Sequence, residues 1–201
     1  MRGSASALKW ARRDLPNLDR AVARCAQRRV AVQAGGNLGT FPKRLAARFG
    51  TVYTFEPAPA LFPVLCANAP EANIVRFQAA LGFHRQFVAM AQTRRDGKPD
   101  AHEGVTHVHG AGPIPTMRVD DLALPVCDFI QLDLEGWELY ALQGAEDTIQ
   151  RCRPVLCVEI NKNQGYVGLS EDELRDYVIG LGYRLVERLE SDEVFVPEER
   201  A

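Results

Sequence analysis

The stretch Val30-Ala31-Val32-Gln33-Ala34-Gly35-Gly36-Asn37-Leu38-Gly39-Thr40 decides the fold. Its short apolar run with β-branched residues reads as a buried strand, and the glycines that close it read as a tight turn. Helical spacing follows to about Phe49, with Pro42 tolerated in a first turn whose amides lack partners. Strand, glycine loop and helix together make a cradle. Glycine lets the backbone come close to a ligand, and the helix start offers free N–H groups. Gly35, Gly36 and Gly39 do not have the GxGxxG spacing of the dinucleotide fingerprint. Taken alone, the loop is equally compatible with a plain strand-to-helix turn.

Working outward, Val52 to Phe55 reads as a second strand, Pro59 to Asn68 as a second helix bent at its start by Pro63, and Asn73 to Phe77 as a third strand. Upstream, residues 17–28 place Leu18, Ala21, Val22 and Cys25 at helical spacing. The pattern breaks from 78 to 119, where Phe87–Met90 and Val105–Val108 suggest antiparallel strands around a polar loop, Arg94 to Glu103. Order returns with the strand Phe129–Leu132 and a helix from Trp137 to about Gln150. Pro154–Ile160 is a further strand, and Ser170–Ile179 a helix with Glu173 in the capping-box position. Tyr183–Leu189 and Val194–Val196 close the chain as a hairpin. Alternating strands and helices argue an α/β chain with a mostly parallel sheet.

Composition removes other classes. The chain has 201 residues, 46% hydrophobic and 25% charged, as in an ordinary globular domain. Lys plus Arg is 24 against 26 for Asp plus Glu, and a net charge of −2 disfavours non-specific nucleic-acid binding. No apolar run is long enough for a conventional membrane span. Five cysteines, an odd number without a CxxC pair, read as buried free thiols. The segment Met1 to Arg13 lacks the apolar core of a secretory signal, so the cytoplasm is the expected compartment.

Glu56 gives the cradle a chemical direction. It follows the second strand about 20 residues beyond the loop, where an acid can accept both hydrogens of a ribose diol. No basic residue stands beside it to receive a 2′-phosphate. None of the tyrosines begins a Tyr-x-x-x-Lys dyad, and no GxxxxGK[ST] loop is present. An adenosine cofactor outside the dinucleotide and nucleoside triphosphate classes points to S-adenosylmethionine. Its carboxylate suits a helix N-terminus.

Four motifs now stand in order: Ala31 to Thr40, Phe55-Glu56-Pro57-Ala58-Pro59, Asp133-Leu134-Glu135-Gly136-Trp137-Glu138, and Pro154 to Ile160. Together they resemble the FkbM family of class I S-adenosylmethionine-dependent methyltransferases, over about residues 30–161. The resemblance implies a Rossmann-like α/β fold: a mostly parallel seven-stranded sheet with an antiparallel last strand and helices on both faces. It implies one domain over 1–201, with a helical extension over 1–28 and the 78–119 insertion near the acceptor. The implied activity is methyl transfer to a hydroxyl of a sugar, glycan or small molecule. Gln33, Gly35, Gly36, Asn37, Gly39, Glu56, Ala79 and Asp133 are the implied cofactor contacts. Gln33 departs from the family, which usually carries an acid there. A nucleic-acid or protein methylase on the same fold, or a degenerate binding protein, are the alternatives.

Asp133 and Glu135 lie where open α/β sheets place their chemistry, and are the candidate catalytic carboxylates. Helix capping is their bland alternative. Glu138, Glu159 and Asn161 are candidate acceptor contacts. His107 and His109 share a metal-compatible spacing without a third ligand nearby, so no metal is expected. For Trp137, packing under the sheet is favoured over shielding the cofactor.

Overall fold

In the computed structural model, residues 13–93, 105–162 and 168–200 are described. The chain runs α1 (Leu15–Ala23), β1 (Val30–Ala34), α2 (Thr40–Ala46), β2 (Thr51–Phe55), α3 (Phe62–Asn68) and β3 (Ile74–Phe77). Then come β4 (Ala80–Leu81), β5 (Phe87–Thr93), β6 (Val105–Met117), β7 (Phe129–Leu132), α4 (Glu138–Gln143) and α5 (Glu146–Cys152). The remainder is β8 (Val155–Glu159), α6 (Glu171–Gly180), β9 (Tyr183–Leu189) and β10 (Asp192–Pro197).

Seven strands form one sheet in the order β3-β2-β1-β7-β8-β10-β9. All pairings are parallel except those of β10, which runs antiparallel to both β8 and β9. The chain leaves β1 towards β3 on one side and returns to β7 on the other. The β1–β7 boundary is therefore a topological switch point, where the flanking loops part and leave a crevice.

Alternation along the strands builds two cores. Ala31, Phe129 and Val155 face one way, against Leu18, Val22 and Leu45 of α1 and α2. Val32, Ile130, Leu132 and Leu156 face the other, against Leu142, Ile149, Leu174 and Val178. Each such fully buried Leu, Ile or Val stabilises the fold by roughly 1.5–3 kcal/mol. α1 is shorter than its sequence pattern: Pro16 opens it, Arg24 ends it, and Cys25 lies beyond. α3 begins at Phe62, later than Pro59, with Pro63 in its first turn. Ser170 and Glu173 form the expected capping box at the start of α6.

The helix expected over 137–150 is two helices. The Gly144 carbonyl accepts the N–H of Asp120, and so leaves the helical ladder. Asp120 then accepts the N–H of Thr148 at 2.8 Å, capping α5 from 28 residues away. A Cβ at Gly144 would lie 2.0 Å from the Gly82 carbonyl oxygen, so the junction admits no side chain. The 78–119 region contains a second sheet, β4-β6-β5, with the expected antiparallel pairing of β5 and β6. The loop Arg94–Glu103 lies outside the described residues. No helix among the described residues is long and apolar enough to cross a membrane.

Candidate active site

The loop after β1 is fixed by backbone geometry. The N–H groups of Gly35 and Gly36 both donate to the Phe55 carbonyl, at 3.1 and 2.9 Å. Gly35 has φ +84°, and a Cβ there would meet the Asp133 carbonyl oxygen at 2.0 Å. Only glycine satisfies both conditions. The contact joins the loop after β1 to the loop after β7 directly. Gly36 is pressed against Leu65 of α3, and Gly39 is the residue before α2. Asn68 holds the loop from behind by donating to the Leu38 carbonyl at 2.9 Å.

Glu56 closes this half of the site. Its Oε2 accepts the Asn37 N–H at 2.7 Å, and its Oε1 accepts the Ala58 N–H at 2.8 Å. Burial pushes its carboxyl up, while these two amides favour the ionised form. A carboxylate oxygen has two lone pairs, so each keeps acceptor capacity beyond its amide. Ala79 is 2% exposed and belongs to the core behind the loop. Gln33 is fully buried on β1, where its Oε1 accepts the Thr54 hydroxyl at 2.5 Å and its Nε2 has no partner.

The other half is a group of acids. Asp133, Glu135 and Glu159 each bring a carboxylate oxygen within 4.8 Å of the others. Glu135 has φ +56° and Gly136 φ +102°, a turn that brings the chain back towards the strand ends. Asp133 is hydrogen-bonded to Glu159, and burial pushes its carboxyl up to about 6. Two carboxyl groups bond only through a shared proton. Glu159 is pushed well above the usual range by burial and by Asp133, Glu135, Glu138 and Asp192. Asp192, in register with Glu159, rises to about 7 through burial and the charge of Asp133.

Neither Asp133 nor Glu135 caps α4; the residue before it is Trp137, without a side-chain cap. Glu138 does the bracing instead. It is fully buried, accepts the Leu134 N–H at 2.7 Å and the Gly136 N–H at 3.0 Å, and rises to about 7 through burial. That inward position corrects the expectation that it faces an acceptor. Asn161 lines a cavity of about 350 Å³ with Lys162, Ser170, Asp172 and Arg175. Trp137 packs against Ala80, Val88, Val108 and Ile114, so it ties the acid loop to the small sheet. Its ring lies 4.3 Å from that of Tyr140. The His107 and His109 rings stand edge to face at 6.4 Å, and neither belongs to a group of three metal-type ligands among the described residues.

A family model described as the methyltransferase FkbM domain matches residues 33–185. The chain belongs to this family. The match spans both halves of the site, from Gln33 through the glycine loop, Glu56 and the acid loop to Glu159. No curated protein matches the chain by sequence. Among solved structures, the FkbM methyltransferase of Methylobacillus flagellatus aligns with a TM-score of 0.54 at 18% identity. That alignment covers 84% of this chain but 43% of the other, so the chain spans less than half of that protein. The N-methyltransferase NodS of Bradyrhizobium japonicum, solved with S-adenosyl-L-homocysteine, aligns at 0.55 with 10% identity over 92% of this chain and 84% of its own. A precorrin 8W decarboxylase from Methanobacterium thermoautotrophicum aligns at 0.53 with 15% identity, over 92% and 88%. Identities this low show a shared fold. The decarboxylase among them illustrates that chemistry has to be argued from the site.

Proposed function

We propose that this FkbM-family chain transfers a methyl group from S-adenosylmethionine to a hydroxyl of a sugar or other small molecule. The observation that carries the proposal is the contact of the two loops, where the Asp133 carbonyl oxygen occupies the space beside Gly35. A cofactor cradled by Gly35, Gly36, Asn37 and Gly39, with its ribose at Glu56, would have its reactive end beside Asp133. Ala79 and Gln33 would then support the pocket from within the sheet.

The chemistry asks little beyond alignment. The acceptor oxygen attacks the methyl carbon, the carbon–sulfur bond breaks with its electrons going to sulfur, and the hydroxyl proton leaves for a base. Holding oxygen and methyl in line supplies most of the acceleration. Asp133 and Glu135 are the carboxylates in our reading that hold the hydroxyl and take its proton. Burial, which makes Asp133 a stronger base than a solvated carboxylate, supports the assignment. Glu159 and Asn161, at the end of β8, extend the acceptor side. The small sheet, tied to the acid loop through Trp137, is the wall that shapes the acceptor pocket. The five free cysteines fit a reducing compartment, and we take the cytoplasm as the setting.

The test supplies methyl-labelled S-adenosylmethionine with a panel of sugars and hydroxylated small molecules. A labelled methyl ether, formed with an equivalent of S-adenosylhomocysteine, is the expected product. Label found only on amino groups, nucleic acid or protein would overturn the hydroxyl assignment.

A further inference from the structure

Asp133, Glu135 and Glu159 put three carboxylate oxygens within 4.8 Å of one another. Two ligands on opposite sides of one Ca²⁺ lie about 5 Å apart, and about 4.2 Å for Mg²⁺. The observed spread suits Ca²⁺ as it stands, and Mg²⁺ after closing by roughly half an ångström. Their surroundings are one-sided in charge. Every charged group acting on Glu159 is an acid: Asp133, Glu135, Glu138 and Asp192. The same holds for Asp192, which feels Asp133, Asp14 and Glu190. Buried like charges are held together by protons or by a cation.

An independent observation comes from Gln131. It is fully buried on β7, and neither its Nε2 nor its Oε1 has a hydrogen-bond partner. Lost hydrogen bonds on a buried amide cost about 1–3 kcal/mol, so such a group calls for a ligand or a bound water. Gln131 stands two residues before Asp133 on the same side of β7, in register with Cys157, which precedes Glu159 by two. Strand side chains lean along the strand direction, and this one leans towards the acids. An amide with one donor side and one acceptor side can orient the water ligands of an ion.

We propose that Asp133, Glu135 and Glu159 bind one hard divalent cation, with Gln131 and Asp192 holding its water ligands. All of these donors are oxygen, the preference of Mg²⁺, Ca²⁺ and Mn²⁺ over softer metals. The proton between Asp133 and Glu159 leaves when the ion enters. An acceptor hydroxyl that replaces one water is thereby fixed in direction and becomes a better proton donor. This use of the ion rests on the methyltransferase reading, whereas its binding does not.

The test is a Mn²⁺ titration of the chelator-treated full chain, followed by electron paramagnetic resonance, with and without S-adenosylmethionine. One saturable site filling below about 1 mM is expected, and Mg²⁺ or Ca²⁺ should displace the Mn²⁺. Glu159→Gln and Glu135→Gln should each weaken binding at least about 10-fold. Glu135 lies in a surface loop, so its variant serves if Glu159→Gln does not fold. Asp121→Asn, in an exposed pair with Arg85, should leave binding unchanged. No saturable Mn²⁺ site under either condition, or equal binding by wild type and both variants, overturns the proposal. Calorimetry with S-adenosylmethionine on the same samples separates this failure from failure of the methyltransferase reading, which would show as an absence of cofactor binding.

Discussion

The loop after β1 and the loop after β7 meet at one end of the sheet, yet they are held in opposite ways. In the first, a single buried carboxylate, Glu56, is matched to the N–H groups of Asn37 and Ala58. In the second, Asp133, Glu135 and Glu159 face one another and Asp192, with only Glu138 turned onto backbone amides. The first half is organised before any ligand arrives. The second carries unspent negative charge, which a shared proton, a cation or a polar acceptor would relieve. A preformed cradle beside a strained acid group divides binding from chemistry, and substitutions should separate the two.

The largest separation is expected in the acid half. Asp133→Asn or Glu135→Gln should lower turnover by about 10²–10⁴ while cofactor affinity stays within a few-fold, because only acid–base help is lost. Steady-state rates paired with binding isotherms check this, and full activity in both variants would move the chemistry elsewhere. Next is the joint between the halves. Gly35→Ala puts a Cβ 2.0 Å from a carbonyl oxygen at φ +84°, and should cost about 2–4 kcal/mol of stability in denaturant melts. An unperturbed melt would mean that the loops are not in contact.

A pH series distinguishes the halves more gently. Glu138 and Asp192 have folded-state carboxyls raised to about 7, so the folded chain keeps protons that the unfolded chain releases. Stability contributed by these groups is present below the ordinary carboxylate range and is lost as pH rises towards about 7. Denaturation midpoints should fall across that window, and Glu138→Gln should flatten the fall. A slope unchanged by that variant would contradict the buried ionisation. The smallest effect is expected at Gln33, already engaged with Thr54. Gln33→Asp should tighten S-adenosylmethionine a few-fold if the missing family acid limits binding. Weaker binding would show that the neutral side chain belongs where it is.

Much of the cradle was legible because its signals are local. Gly35, Gly36 and Gly39 mark a turn by their own chemistry, and Glu56 follows its strand directly. The seven-stranded order followed from alternating periodicity together with the four-motif resemblance. What sequence could not show depends on contacts far apart in the chain. Asp120 capping α5 splits a continuous helical pattern, and only the fold brings residues 120 and 148 together. Glu138 reads as a surface acid beside Glu135, yet the turn at Gly136 folds it inward. Asp192 carries no motif at all; pairing of β10 with β8 sets it beside Glu159. Asn68 and Thr54 likewise lie on separate elements, and no spacing rule connects them to the loop.

The central claim is that the preformed half grips an adenosine ribose, and the most direct measurement is a calorimetric titration of S-adenosylmethionine into wild type and Glu56→Ala. Wild type should bind one equivalent. The variant, verified as folded, should bind more weakly by about 1.5–3 kcal/mol, the range of a charge-assisted hydrogen bond. Equal affinity in the two proteins would contradict the assignment of this cradle to the cofactor.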